Sequence, residues 1–150
     1  MHMAFAASLY ASFRSYRLSS VAALLLALNG LGRVVAGLFP CEAGCAGPRV
    51  LLSQKLHSLA AGVGFLALIG ASILWGVLLR RHRSLKGLSV YSIGAGLSGL
   101  VFLLLMSWSA ELRRGTGLHE RLSSGVLSLW VLAFAVRPWY LKPSRACGAG

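Results

Sequence analysis

The sequence predicts an all-α integral membrane protein, a bundle of four transmembrane helices with a short N-terminal partial helix, in one domain over residues 1–150. Three observations predict it. Apolar blocks fill residues 18–39, 56–79, 88–110 and 122–141. Short basic stretches separate them. Hydrophobic residues make up 57% of the chain and charged residues 12%, against roughly 25% charged in a soluble domain. A helix rises ~1.5 Å per residue, so ~20 residues cross the ~30 Å hydrocarbon layer. Inside lipid every backbone polar group needs an internal partner, which leaves helices as the reading for these blocks.

The elements follow in chain order. Residues 1–13, MHMAFAASLYASF, are apolar but too short to span. They lack the basic start and small-residue cleavage site of a secretory signal, so they read as an interfacial segment anchored by Arg14, Tyr16 and Arg17 or as the end of a partial helix. The first span carries Asn29 and Arg33, four residues apart and therefore on one helical face. Arg33 stands six residues, or ~9 Å, before Phe39, within reach of the interface by snorkelling. A loop with Cys41, Glu42 and Cys45 leads to the second span, which opens at Leu56-His57.

In the third span Gly94, Gly96 and Gly99 match G-x-G-x-x-G formally. The dinucleotide motif needs a strand before it and a helix N-terminus to receive the pyrophosphate, and here it lies among Ile93, Leu97 and Leu100 of a spanning helix. Ser92/Gly96 and Ala95/Gly99 instead read as small-residue packing faces, as do Gly32/Ala36 and Ala60/Gly64 in the first two spans. The last span follows His119-Glu120-Arg121 and is weakened by Arg137-Pro138 near its end. Faces turned to the protein interior are expected to include Asn29, Arg33, Gly64, Gly96, Gly99 and Ser128, with Leu and Val toward lipid.

The formal charge of +12 does not mark a nucleic-acid binder, because the basic residues flank spans rather than form one stripe. Anionic headgroups are their partner. With four spans, Arg14, Arg17, Arg80, Arg81, Arg83, Lys86, Arg137, Lys142 and Arg145 share one side; Arg49, Lys55, Arg113, Arg114 and Arg121 share the other. The richer side faces the cytoplasm. Both termini are thus expected there, in a multi-pass protein of the cell membrane.

Two stretches resemble the domain of unknown function 998 family. One is Gly37-Leu38-Phe39-Pro40-Cys41-Glu42-Ala43-Gly44-Cys45 with Leu56-His57 after it; the other is Gly117-Leu118-His119-Glu120-Arg121-Leu122 running into Leu129-Trp130-Val131-Leu132-Ala133. The resemblance implies a prokaryotic multi-pass membrane protein with no established activity, usually of about six helices, and hence an N-terminally incomplete chain. The family usually has Asp where Glu42 stands and often Gln where Glu120 stands.

Chemistry-bearing residues gather on the outer side. Cys41 and Cys45 flank Gly44 in the outer loop, where thiols oxidise, and a disulfide between them is possible. The tail Cys147 reads as a free thiol, since the residues after it do not make a prenylation signal. Glu42, Glu111 and Glu120 are the chain's three carboxylates, and His57 and His119 join them at span ends. Neutral imidazoles and carboxylates ligate zinc, so Glu42, His57 and His119, with Glu120 as base, are a candidate set for a metal-dependent hydrolase of lipid headgroups. No HExxH-type pairing supports it, and no nucleophile elbow supports a serine hydrolase.

Three readings result. The leading one is a non-enzymatic membrane-embedded binding or structural protein, without cofactor, partnered by the lipid bilayer and by a second copy or another membrane protein. The alternatives are the zinc hydrolase and a small-anion carrier or receptor using Arg33 and Asn29.

Overall fold

Pro40 sets the first helix boundary, because a proline disfavours helical backbone in the residue before it. The first helix, α1, accordingly runs Arg17–Leu38, closed by Phe39 N–H donating to the Val35 carbonyl at 3.1 Å. Three more follow: α2, Leu52–Leu79; α3, Lys86–Glu111; and α4, Thr116–Tyr140. The end of α2 tightens into i→i+3 turns, Arg80 N–H to the Val77 carbonyl and Arg81 N–H to the Leu78 carbonyl, the usual way a helix narrows before a loop. This computed structural model describes residues 5–7, 9–10, 17–40, 52–81, 85–111 and 116–140, the side chains of 110, 111, 116 and 137–140 excepted. All four named elements are helices, and residues 5–7 and 9–10 are helical as well, with Ala6 and Leu9 buried in the core.

Arg17–Leu38, Leu52–Leu79 and Lys86–Ser109 are long and apolar enough to cross a membrane. The distribution of residues agrees with a membrane-embedded protein. Leu24, Leu31 and Leu38 on α1, Leu52, Leu59 and Leu66 on α2, and Val90, Leu97 and Leu104 on α3 are all exposed. Each set repeats every seven residues and so forms a stripe along one face of its helix. Such continuous apolar exposure is what water penalises and lipid accepts.

The interior is built largely from small residues. Ala22, Ala23, Gly30, Gly32, Gly64, Ala67, Ala71, Gly76, Ala95, Gly96, Ser72, Ser89 and Ser92 are buried, which lets backbones approach closely where lipid supplies no hydrophobic drive for helix association. A Cβ added to Gly32 would stand 2.7 Å from the Ala60 carbonyl oxygen, so α1 and α2 cross backbone to backbone there. The large core side chains, Trp75, Trp130 and Phe134, cluster between α2 and α4.

Side-chain donors knit the crossings together. Asn29 Nδ2 donates to the Gly64 carbonyl at 2.8 Å, Ser89 Oγ to the Gly76 carbonyl at 2.6 Å, and Ser123 Oγ to the Gly99 carbonyl at 3.2 Å. All three acceptors are glycines. A helical carbonyl already accepts one intrahelical bond and has a second lone pair, and a glycine leaves it uncovered. Helices adjacent in sequence pack against each other, α1 on α2, α2 on α3 and α3 on α4, and α4 also touches α2.

Asn29, Gly64, Gly96 and Gly99 are buried as expected, but two positions differ. Ser128 is exposed, and Ser123 supplies the buried hydroxyl of α4 in its place. Five residues at 100° each rotate a side chain by about 140°, which puts the two serines on nearly opposite faces. Arg33 is exposed too, at the margin of the α1–α2 crossing; its charge favours that margin over an apolar interior.

Candidate functional site

Loss of side chains at the α1–α2 crossing leaves space beside it. A cleft of about 340 Å³ opens there, walled by Asn29, Arg33, Ala36 and Gly37 of α1, by His57, Ala60, Ala61, Gly64 and Phe65 of α2, and by Glu120 and Ser124 of α4. These are the last turns of α1 and the first turns of α2 and α4, so the cleft sits at one end of the bundle. Its volume lies at the small end of ligand pockets, ~300–1,000 Å³. Small apolar residues and polar side chains line it together.

Asn29 is 3% exposed. Its amide N–H2 holds α2, while Oδ1 is buried without a hydrogen-bond partner among the described residues. Arg33, one turn on, reaches the same cleft but is exposed. His57 has a structural duty: Nδ1 lies 2.9 Å from the Ala36 carbonyl and 3.0 Å from the Phe39 carbonyl. Both partners are acceptors, so Nδ1 carries the proton and donates to the two of them, and in the neutral ring Nε2 keeps its lone pair. Carbonyls in the last turn of a helix have no intrahelical donor, and His57 supplies one from the neighbouring helix. Replacing His57 with Ala is expected to cost roughly 1 kcal/mol and to speed amide exchange over residues 35–39, measured by hydrogen exchange; unchanged exchange there would mean the cap is idle.

Glu120 lies across the cleft on α4, exposed. Among the described residues neither Arg33 nor Glu120 has an ion-pair or hydrogen-bond partner, so two opposite charges wall one cleft without meeting. His119 does not join them. Its Nδ1 is 3.0 Å from Ser109 Oγ, across the α3–α4 turn. Residues one apart on a helix point about 100° away from each other, and α4 begins at Thr116, so His119 and Glu120 face different neighbours.

Glu42, Cys41 and Cys45 lie outside the described residues, and with them the possible disulfide. Of the candidate zinc set, His57 and Glu120 share the cleft; no group of three His, Cys, Asp or Glu side chains placed to hold a metal occurs among the described residues. Sequence reasoning singled out Asn29, Arg33, His57 and Glu120 but not Ser124, which stands one helical turn after Glu120 and lines the same wall. The i, i+4 spacing was its signal.

A family model described as protein of unknown function (DUF998) matches residues 1–137. No curated protein and no solved structure matches the chain.

Proposed function

The chain belongs to the DUF998 family, and from that premise we propose that it is a four-span, non-enzymatic membrane protein that binds a small anion-bearing molecule in the α1–α2–α4 cleft. The fourth span is α4, whose 25 residues reach ~37 Å at ~1.5 Å per residue. Four spans put both termini on the side with more Lys and Arg, the cytoplasm, and the cleft on the outer side of the cell membrane.

The observation that carries the binding reading is Arg33: a cation on a spanning helix, walling a cleft, with no anionic partner among the described residues. Placing an arginine within a span costs about 3 kcal/mol on insertion scales, and such residues usually mark a ligand or ion path. A guanidinium presents paired N–H donors that match the oxygens of a phosphate or carboxylate. Asn29 locks the helix crossing beneath it, and His57 fixes the end of α1 beside it, so the donors are held on a rigid wall. The zinc reading has less support, since among the described residues only His57 and Glu120 of its candidate set share the cleft, against the three or four ligands zinc takes.

Arg33→Leu separates binding from folding. The wild-type protein in detergent is expected to gain a few degrees in Tm with saturating phosphatidylglycerol, as any ligand that favours the folded state produces. The variant is expected to keep its basal Tm, or exceed it, and to lose that gain. A gain that survives in Arg33→Leu sinks the reading.

A further inference from the structure

Beyond Arg33, the cleft carries polar groups on α2 and α4 that can all accept a hydrogen bond. Besides Arg33 of α1, the cleft is lined by Glu120 of α4 and by His57 of α2, whose Nε2 in the neutral ring keeps a lone pair once Nδ1–H is held by the Ala36 and Phe39 carbonyls. The Ser124 hydroxyl can accept as well. An anion alone would meet Arg33 and then face Glu120, a like charge, across a space of only about 340 Å³. The unpaired Glu120 therefore weakens the hold of Arg33 on simple anions without cancelling it, and favours a ligand that also carries a cation.

We propose that the ligand is a zwitterion carrying a phosphate and an ammonium with N–H donors, the chemistry of a phosphoethanolamine group. This rests on the anion-binding reading above and adds the other end of the ligand. The phosphate lies on the Arg33 fork. The ammonium donates to Glu120, with His57 Nε2 and Ser124 as its other acceptors. A trimethylammonium has the charge but no N–H, so it cannot form those bonds and leaves the acceptors unmatched; choline is disfavoured against ethanolamine for that reason. A lipid headgroup and a free solute both carry this chemistry, and the cleft is open at the bundle end to either.

The test is Tm of the detergent-purified full chain with phosphatidylethanolamine, phosphatidylcholine or phosphatidylglycerol in mixed micelles, and with free O-phosphoethanolamine, for wild type, Glu120→Gln and Arg33→Gln. Phosphatidylethanolamine is expected to raise Tm by about 3 °C or more beyond the other two lipids. Glu120→Gln, an exposed position, is expected to erase the preference for ethanolamine over choline, and Arg33→Gln to erase the response to every lipid. A response to phosphatidylethanolamine alone assigns a membrane lipid, and one to O-phosphoethanolamine as well assigns a solute; both uphold the zwitterion. Equal response to choline and ethanolamine in the wild type overturns it without recourse to any variant. Phosphatidylglycerol equal to phosphatidylethanolamine, with loss in Arg33→Gln, overturns the ammonium pole and leaves the anion site standing. No response to any probe overturns both.

Discussion

Trp130→Ala is expected to lower the stability of the folded protein by about 3 kcal/mol, the low end of aromatic-to-Ala losses in cores. The low end applies because lipid is as apolar as the core, so the cost is cavity and lost contacts rather than transfer from water. Trp130 is fully buried, its ring centroid is 4.9 Å from that of Phe134, and Phe134 in turn is 6.1 Å from Trp75. Its indole N–H donates to Ser92 Oγ at 2.9 Å, while Ser92 sends its own proton to the Leu88 carbonyl at 2.7 Å. That chain has one direction, from α4 into the backbone of α3. Trp130→Phe keeps most of the ring and removes the donor, so it is expected to cost about 1 kcal/mol. Reversible unfolding in mixed detergent reads both. A loss below 1 kcal/mol in the Ala variant would show that the aromatic cluster does not hold α4.

Gly32→Ala is expected to be nearly as damaging despite adding a single methyl group. The new Cβ would lie 2.7 Å from the Ala60 carbonyl oxygen and 3.2 Å from the Gly64 Cα. Both are backbone atoms, which cannot rotate away as a side chain can, so α1 and α2 must separate. Overpacking of this kind costs about 1–3 kcal/mol, and separation also stretches the Asn29–Gly64 bond, worth about 0.6 kcal/mol more by membrane double-mutant cycles. Gly62→Ala is the internal control. Beyond its own stretch of helix, no atom of the described residues lies within 4 Å of a Cβ placed there, and replacing a mid-helix glycine gains roughly 0.5–1 kcal/mol. Thermal unfolding of the two variants side by side should move Tm in opposite directions, and a shared direction would count against the close crossing.

Helix class was legible in the sequence because apolar length is a property of the chain read in one dimension. Facing was not. The helices are apolar over much of their surface, so little in the pattern distinguishes Ser123 of α4, which is buried, from Ser128, which is exposed. The interhelical hydrogen bonds join residues far apart in sequence, such as Asn29 with Gly64 and Ser123 with Gly99, and no local rule pairs them. Small-residue spacing did point to Gly32, Gly64, Gly96 and Gly99 as contact surfaces, since a close backbone approach has that requirement at any crossing. For the site, Asn29 and Arg33 were legible as one helical face. The split between His119 and Glu120 was hidden by where the apolar block begins: hydropathy starts at Leu122, whereas the helix starts at Thr116. A loop would let adjacent side chains converge; a helix turns them apart.

Packing each helix mainly on its predecessor in the chain has a consequence for biogenesis. A bundle of that kind can be assembled as it leaves the ribosome, because α2 finds α1 already in place, α3 finds α2, and α4 finds α3. Contacts are then local in sequence, the condition for fast folding. The cleft is different. Its Arg33 wall is inserted early and its Glu120 wall arrives with α4, so during synthesis Arg33 is in the bilayer before its counter-wall exists. On the proposed binding reading, the site is therefore complete only once α4 has packed.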